Sequence, residues 1–234
     1  MEFSANRVLL GDCCRLLSRL PAESVDFVLT DPPYLVNYCD RSGRSLAGDR
    51  EANWLEPAFA EVFRVMLPGT LCVSFYGWSR TELFLQAWRR AGLRVVGHIT
   101  FPKRYTSASR LMSYQHENAY LLAKGQPQQP AAPIGDVIDW TYSGNKLHPT
   151  QKPVAVLAPL VQSFCRPGGL VLDPFAGSGS SLVAARSMGR CYLGMEIDPT
   201  VHRIAEQRML AYSRALRRGL TEEADGLGRV EAKA

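Results

Sequence analysis

The segment GLVLDPFAGSGSSLVAARSMG, residues 169–189, decides the fold class of this chain of 234 residues. A short apolar run leads to Asp173, a glycine-rich turn follows it, and a run with helical periodicity begins after Gly179. A strand, turn and helix in this order present backbone N–H groups at a helix N-terminus, which suits a carboxylate or a phosphate. The segment differs from a phosphate-binding P-loop because no Gly-Lys-Ser/Thr follows, and it lacks the third glycine of the dinucleotide fingerprint.

The next predicted strand supplies a second part of the same signature. It ends at Glu196, 19 residues after Gly177, where an acidic side chain could accept hydrogen bonds from both hydroxyls of a ribose. Glycines after a strand can also form nothing more than a tight turn. The acidic residue downstream favours the alternative, a ligand that contains a nucleoside.

The rest of the chain alternates short apolar runs with helical patterns, which predicts the α/β class with a mostly parallel sheet flanked by helices. Seven strands are predicted, enough for one open sheet, at residues 7–10, 25–30, 70–75, 93–101, 118–123, 170–172 and 191–195. Six helices are predicted, at residues 15–20, 54–66, 80–91, 153–165, 180–188 and 200–217. We expect one domain over residues 1–217 and a disordered, charged tail over residues 218–234.

Composition narrows the class of partner. The net charge of +5 and the isoelectric point near 9.0 favour a polyanion such as a nucleic acid. The sequence has no long apolar run of the kind that spans a bilayer, and its N-terminal residues do not resemble a signal peptide, so we expect a cytoplasmic protein with no membrane contact. The six cysteines include no CxxC pair, which predicts no metal site and no disulfide framework.

A second motif, Asp31-Pro32-Pro33-Tyr34, follows the apolar run VDFVLT and therefore lies at the carboxyl end of a strand, where open parallel sheets bind ligands. The two prolines remove N–H donors and leave a surface of carbonyls and one carboxylate. An aromatic amine complements such a surface, because its nitrogen becomes nucleophilic only when acceptors hold its N–H bonds. Asp31 and the Pro32 carbonyl could hold the amine while Tyr34 stacks on a flipped-out base. The other interpretation is an Asp-initiated turn beside a buried tyrosine.

Together the two motifs resemble those of the β subclass of DNA amino-methyltransferases, in which DPPY precedes FxGxG. The resemblance covers most of residues 7–212. It implies the class I, Rossmann-like fold of methyltransferases that depend on S-adenosylmethionine, with permuted motif order, sheet order 3-2-1-4-5-7-6 and an antiparallel strand at 118–123. It also implies base flipping and direct in-line methyl transfer to double-stranded DNA.

The target base follows from the first letter of the motif. Asp31, where many N4-cytosine enzymes carry serine, resembles the N6-adenine members and predicts the exocyclic N6 amine of adenine as the target. Three alternatives stay open: an N4-cytosine DNA methyltransferase, methylation of RNA, and a protein of another class that binds S-adenosylmethionine and DNA without catalysis.

The resemblance also assigns site residues. The catalytic set is Asp31, Pro32, Pro33 and Tyr34. The set that contacts the cofactor comes from VLLGDC, HPTQKP, the glycine loop and the acidic strand end, and consists of Asp12, Cys13, His148, Thr150, Lys152, Asp173, Phe175, Ala176, Gly177, Ser178, Gly179 and Glu196. Read without the family, HPTQKP predicts a helix start, with Thr150 as its cap and Pro153 in its first turn.

The surface that reads DNA is predicted to be small. About 25 residues separate Ala123 from His148, so residues 104–147 include a reduced target-recognition region. The DNA-facing candidates lie in two long loops and are Arg41, Arg44, Arg50, Lys103, Arg104, Tyr105, Arg110 and Lys146. The resemblance leaves a homodimer open, and nothing in the sequence points to a partner nuclease.

Overall fold

The computed structural model describes residues 4–38, 43, 47–106, 108–109, 111–130, 132–140 and 151–218. Several predicted site residues lie outside these ranges, namely Arg41, Arg44, Arg110, Lys146, His148 and Thr150. The predicted tail from residue 219 onward also lies outside them.

Within the described ranges the chain alternates strands and helices. The strands are β1 Arg7–Leu10, β2 Val25–Thr30, β3 Met66–Phe75, β4 Arg94–Pro102, β5 Ala108–Ser109, β6 Ser113–Tyr114, β7 His116–Ala123, β8 Leu170–Asp173 and β9 Cys191–Glu196. The helices are α1 Cys13–Leu17, α2 Leu55–Val65, α3 Thr81–Ala91, α4 Val154–Phe164, α5 Ser180–Ser187 and α6 Pro199–Arg217, with a 3₁₀ turn at Trp78–Arg80. These elements confirm the predicted α/β class.

Seven of the described strands form one sheet in the order β1-β9-β8-β2-β3-β7-β4, and β5 pairs with β6 in a separate hairpin. Strand β7 is antiparallel to both of its neighbours, whereas the other pairings in the large sheet are parallel. When β8 is counted as the first strand of the family order, the sheet reads 3-2-1-4-5-7-6. The strand order and the antiparallel strand implied by the resemblance are therefore confirmed.

The predicted helices lie where the structure has them, with starts shifted by one or two residues in all but α5, and two of these shifts have an identifiable cause. Helix α1 begins two residues earlier than predicted, because Asp12 caps it by accepting the Arg15 N–H at 3.0 Å. The predicted start of α4 is wrong. Pro153 is the N-cap, with extended backbone (φ −67, ψ 131), and does not lie in the first turn. The preceding residue, Lys152, is directed into the interior by an ion pair, so this stretch does not wind into the helix.

Strand β2 lies in the middle of the sheet, and all six of its residues are buried. Phe27 and Leu29 pack into a core formed with α4, α5 and α6, whereas Val25 and Val28 pack into a core formed with α1, α2 and α3. Burial on both faces explains why β2 reads as a continuous apolar run. Because β2 runs parallel to its neighbour β8, the carboxyl ends of the two strands lie side by side, and each is followed by one of the two motifs.

Among the helices described, none combines the length and the apolar character needed to cross a bilayer.

Candidate active site

The glycine loop between β8 and α5 is held by Asp173, which is 3% exposed. One carboxylate oxygen accepts hydrogen bonds from Thr30 Oγ1 at 2.9 Å and from the Phe175 N–H at 3.0 Å, and the other accepts from Ser181 Oγ. Burial raises the pKa of Asp173 to about 7. The side chain predicted to contact the cofactor thus uses its hydrogen bonds to tie the start of the loop to the end of β2 and to the first turn of α5.

Two glycines give this loop its shape. Gly177 and Gly179 have φ values of 52° and 81°, in the left-handed region that glycine adopts without steric cost. A side chain built on Gly177 would meet no atom within 4 Å, so the backbone here faces open space. Because Gly179 caps α5, this open space lies next to a helix N-terminus, as the sequence predicts for a site that binds a ligand.

Glu196 joins the ends of three strands. Its Oε2 accepts the Gly177 N–H at 3.0 Å, its Oε1 accepts the Asp198 N–H at 2.9 Å, and its backbone oxygen accepts the Gly11 N–H at 2.9 Å. Burial raises the pKa of this carboxyl. Gly11 precedes the cap residue Asp12, so the acidic strand end, the glycine loop and the start of α1 lie together.

The glycine loop is also supported by residues that the sequence did not single out. The ring of Trp54 packs edge-on against Phe175, with centroids 5.0 Å apart. Arg208 of α6 is buried, and its Nη1 donates to the Ser178 carbonyl at 3.1 Å and to Ser180 Oγ at 3.0 Å. The loop is thus held by contacts with Trp54 and with α6 in addition to those of Asp173.

The second motif forms a compact charged cluster. Lys152 Nζ lies 2.5 Å from Asp31 Oδ2, and Tyr34 donates its phenolic hydrogen to Asp31 Oδ1 at 2.9 Å. Lys152 Nζ also lies 5.3 Å from the centroid of the Tyr34 ring and 5.0 Å from that of Phe75. The lysine that the resemblance assigns to the cofactor therefore contacts the tetrapeptide that carries Asp31.

A second carboxylate completes the cluster. Glu117 Oε2 lies 3.4 Å from the Tyr34 hydroxyl, and Glu117 Oε1 pairs with Lys103 Nζ. Burial acts to raise the pKa of Glu117, but the Lys152 and Lys103 cations outweigh it and lower the pKa. Burial and the two carboxylates raise the pKa of Tyr34 well above its usual value, so its phenol stays neutral.

Gly77, just beyond the end of β3, allows the chain to pass close to Tyr34. A side-chain carbon built on Gly77 would lie 2.5 Å from the Tyr34 carbonyl oxygen and 2.9 Å from its Cβ. A real Cβ cannot approach backbone this closely, so only glycine fits without moving the tetrapeptide.

Comparisons with known proteins agree with this geometry. A family model described as DNA methylase, for enzymes acting on N6 or N4 amines, matches residues 25–207. The chain belongs to this DNA methylase family. The methylase is 50% identical over 218 residues to YubD of Escherichia coli (strain K12), which is named as a methylase; the match covers 93% of this chain and 96% of that protein. S-adenosylmethionine is the methyl donor of the family.

Two further proteins are similar to the methylase. YhdJ of Escherichia coli (strain K12), a DNA adenine methyltransferase, is 26% identical over 249 residues, covering 88% of this chain and 83% of that protein. TTHA0409 of Thermus thermophilus, solved in complex with S-adenosyl-L-methionine, superposes with a TM-score of 0.66 and 24% identity, covering 88% of this chain and 95% of that one. The latter similarity bears on the fold alone.

The residues present fit S-adenosylmethionine. The open space beside Gly177 gives the ligand access to the loop backbone, and Glu196 places a carboxylate at the strand end where a ribose would bind. The fit therefore rests on the open space beside the Gly177 backbone and on the carboxylate of Glu196 at the end of β9, features that a nucleoside ligand requires.

The predicted DNA-facing residues of the methylase separate into two groups. Arg50 and Arg104 are exposed. The Lys103 side chain is only 5% exposed, with its Nζ 5.1 Å from the Trp140 ring centroid and 5.7 Å from that of Tyr105. Lys103 and Tyr105 thus belong to the charged cluster and not to an open basic surface.

Sequence reasoning did not identify Glu117, Gly77, Trp54 or Arg208. Glu117 lies one residue before the predicted strand 118–123, and a longer strand would have placed it at the sheet edge that carries the site. Gly77 follows an apolar strand, which is a detectable signal for a close approach of backbone. Trp54 and Arg208 gave no local signal, because each acts through a contact with a distant part of the chain.

Proposed function

We propose that this methylase transfers a methyl group from S-adenosylmethionine to the N6 amine of adenine in double-stranded DNA. One observation carries the proposal. The Tyr34 hydroxyl is hydrogen-bonded to the Asp31 carboxylate at the end of β2, beside the strand that leads into the glycine loop. An amine acceptor, a stacking surface and a nucleoside site then share one edge of the sheet.

The cofactor would be held by groups from three strand ends. Gly177, Ser178 and Gly179 would approach it with their backbone, Glu196 would accept the ribose hydroxyls, and Asp12 would lie near the adenine ring. When bound, S-adenosylmethionine supplies a methyl carbon made electrophilic by its sulfonium. His148 and Thr150 remain predictions from the resemblance.

Asp31 has the capacity to hold the target amine. A carboxylate offers about four lone-pair positions, and Tyr34 and Lys152 engage one on each oxygen. The remaining positions can accept an N6 hydrogen, and the Pro32 carbonyl can accept the second. Holding both hydrogens frees the nitrogen lone pair for the methyl carbon, and Asp31 is placed to take the proton that the nitrogen then releases.

Tyr34 performs a different task. Its ring offers a face on which an extruded adenine can stack, while its neutral hydroxyl keeps the ring fixed between Asp31 and Glu117. The Lys152 and Lys103 cations compensate the charges of Asp31 and Glu117 respectively. The charged cluster can thus accept an uncharged base without leaving an unpaired charge.

Adenine is the proposed target for two reasons. The tetrapeptide begins with Asp31, as in the N6-adenine members that the sequence resembles, and YhdJ acts on adenine. N4-cytosine methylation is the second candidate, since the family includes enzymes for both amines.

The deciding experiment identifies the methylated base. Unmethylated duplex DNA is incubated with the protein and S-adenosylmethionine, digested to nucleosides and analysed by mass spectrometry, with RNA treated in parallel. We expect N6-methyldeoxyadenosine from DNA and no product from RNA. N4-methyldeoxycytidine would refute the adenine assignment, and binding of both ligands with no methylated nucleoside would support the non-catalytic alternative.

A further inference from the structure

The backbone immediately after Tyr34 adopts an unfavourable conformation. Leu35 and Asn37 have φ values of 60° and 54°, in the left-handed region. A leucine rarely adopts this region, because its Cβ then crowds the following carbonyl oxygen. Such a turn persists only when the surrounding structure holds it.

Asp49 stabilises this turn through hydrogen bonds. Its Oδ1 accepts the Leu35 N–H at 2.7 Å, its Oδ2 accepts the Tyr38 N–H at 2.5 Å, and its backbone oxygen lies 3.4 Å from the Asn37 nitrogen. Asp49 is 1% exposed. A buried carboxylate is costly unless it is hydrogen-bonded, and both oxygens of this one are directed at the same short turn.

The opposite side of the turn is also constrained. Arg80 Nε donates to the Leu35 carbonyl at 3.3 Å, and Gly77 lies against the Tyr34 backbone. The turn is therefore fixed between Asp49 on one side and the end of β3 on the other.

A chain of contacts runs from Asp49 to the glycine loop. The preceding residue, Gly48, accepts a hydrogen bond from Trp54 Nε1 at 2.7 Å, and the Trp54 ring packs against Phe175. The segment that carries Asp49 thus lies between the amine-binding tetrapeptide and the cofactor loop.

We propose that Asp49 is a positioning residue for methyl transfer, whose carboxylate fixes the strained turn at Leu35–Asn37 and thereby the direction of Tyr34 and Asp31. This inference rests on the proposed function. Asp49 itself need not contact DNA or cofactor, since both of its carboxylate oxygens are bonded to the turn.

The first test is Asp49→Asn, which keeps the size of the side chain but turns an amide N–H₂ toward a backbone donor. We expect the single-turnover rate of methyl transfer to fall at least about tenfold, since small displacements of reacting groups have large kinetic effects. Cofactor affinity should stay within about threefold, because the glycine loop keeps its own support from Asp173.

Asp26→Asn is the matched control. Asp26 is also buried and also accepts a backbone N–H, that of Leu170 at 2.8 Å, but it lies at the opposite end of β2 from Asp31. We expect Asp26→Asn to lower the melting temperature and leave the transfer rate within about twofold. Equal effects of the two substitutions on rate would overturn the proposal.

A second pair of variants addresses the turn without touching Asp49. Asn37 is exposed, so a substitution there is compatible with folding. Asn37→Ala should slow methyl transfer several-fold because alanine disfavours positive φ, whereas Asn37→Gly should not slow it and should partly restore the rate of Asp49→Asn. Wild-type rates in Asn37→Ala, or no recovery in the double variant, would contradict the proposal.

Hydrogen exchange separates failure of this inference from failure of the proposed function. The amides of Leu35 and Tyr38 should be protected in the wild type and exchange faster in Asp49→Asn, whatever reaction the protein catalyses. Unchanged exchange would overturn the role of Asp49. If the wild-type protein methylates no DNA but exchange is still faster in Asp49→Asn, the proposed reaction is refuted. The role of Asp49 in fixing the turn would then still stand.

Discussion

Thr30 Oγ1 donates a 2.9 Å hydrogen bond to Asp173 Oδ1 and so joins the last residue of β2 to the last residue of β8. Thr30 immediately precedes the tetrapeptide, and Asp173 lies two residues before Phe175, where the glycine motif begins. The tetrapeptide and the glycine loop are therefore fixed relative to each other by a contact within the sheet, and the ionisation of Asp173 bears on both.

The stability of the fold should depend on pH through Asp173. Burial raises its pKa to about 7, above the usual value of about 3.9 for the unfolded chain. Its contribution to stability is fully present below about pH 4 and is lost as pH rises through 7, because the folded protein binds the proton more tightly. Asp173→Asn does not titrate, so the free energy of unfolding of the wild type should fall relative to that of Asp173→Asn between about pH 4 and 7. Urea titrations across this range measure the difference, and a constant difference would contradict the prediction.

Gly177→Val should abolish cofactor binding, and the strain of a β-branched residue at positive φ should lower stability to a similar extent in this variant and in its control. The new side chain would enter the open space at the loop, which a ligand needs for its approach to the backbone. Gly168→Val is the control, since Gly168 also has positive φ (71°) and nothing within 4 Å of a built Cβ, but precedes the other end of β8. Calorimetry with S-adenosylmethionine decides the matter. Equal affinity in the two folded variants would mean that the loop does not contact the cofactor.

Asp31→Ala should separate binding from chemistry. We expect cofactor affinity within a few fold of the wild type and methyl transfer reduced by at least about a hundredfold, because the acceptor for the amine hydrogen is lost. Asp31→Asn should be similarly slow and avoids an empty space beside Lys152. Single-turnover methylation and cofactor titration are measured on each variant, and near wild-type transfer by either would refute the mechanism.

Substitutions of Tyr34 should report on base retention. Tyr34→Ala should weaken binding of the flipped base by about 1–3 kcal/mol if stacking dominates. Tyr34→Phe should be milder, since it keeps the ring and loses only the hydrogen bond to Asp31 and the longer contact with Glu117. Titration of duplex DNA carrying a fluorescent base analogue at the target adenine gives both values. A larger effect of the phenylalanine variant would assign the main role to the hydroxyl.

Arg104 and Lys103 should contribute differently to the salt dependence of DNA affinity. Arg104 is exposed, and Arg104→Ala should reduce the slope of log K against log salt by about 0.9, the value for one lost phosphate contact. Lys103→Ala should leave the slope unchanged and slow methyl transfer instead, because Lys103 is paired with Glu117 beside Tyr34. DNA-binding isotherms at several salt concentrations test both. A reduced slope for Lys103→Ala would indicate that Lys103 contacts a DNA phosphate after all.

Local pattern was enough to predict β2 and β8, because each is a short apolar run followed by a motif that only a strand end explains. The antiparallel direction of β7 could be predicted only from the resemblance, since a strand's sequence does not record which way its neighbours run. The buried state of Lys103 and the role of Asp49 were not predictable. Each depends on a partner brought close by the tertiary fold: Glu117 for Lys103, and the amides of Leu35 and Tyr38 for Asp49.

The hydrogen bond between Thr30 and Asp173 spans 143 positions of the chain, which has a consequence for biosynthesis. When the ribosome has released β2 and its neighbour β3, the other neighbour of β2, strand β8, has not yet been translated. The newly made tetrapeptide therefore lacks the adjoining glycine loop at first. Contacts between residues so far apart in the chain form slowly. Methylating capacity should appear only after the second half of the polypeptide has docked, so a prematurely terminated translation product would expose the tetrapeptide Asp31–Tyr34 without being able to modify the genome.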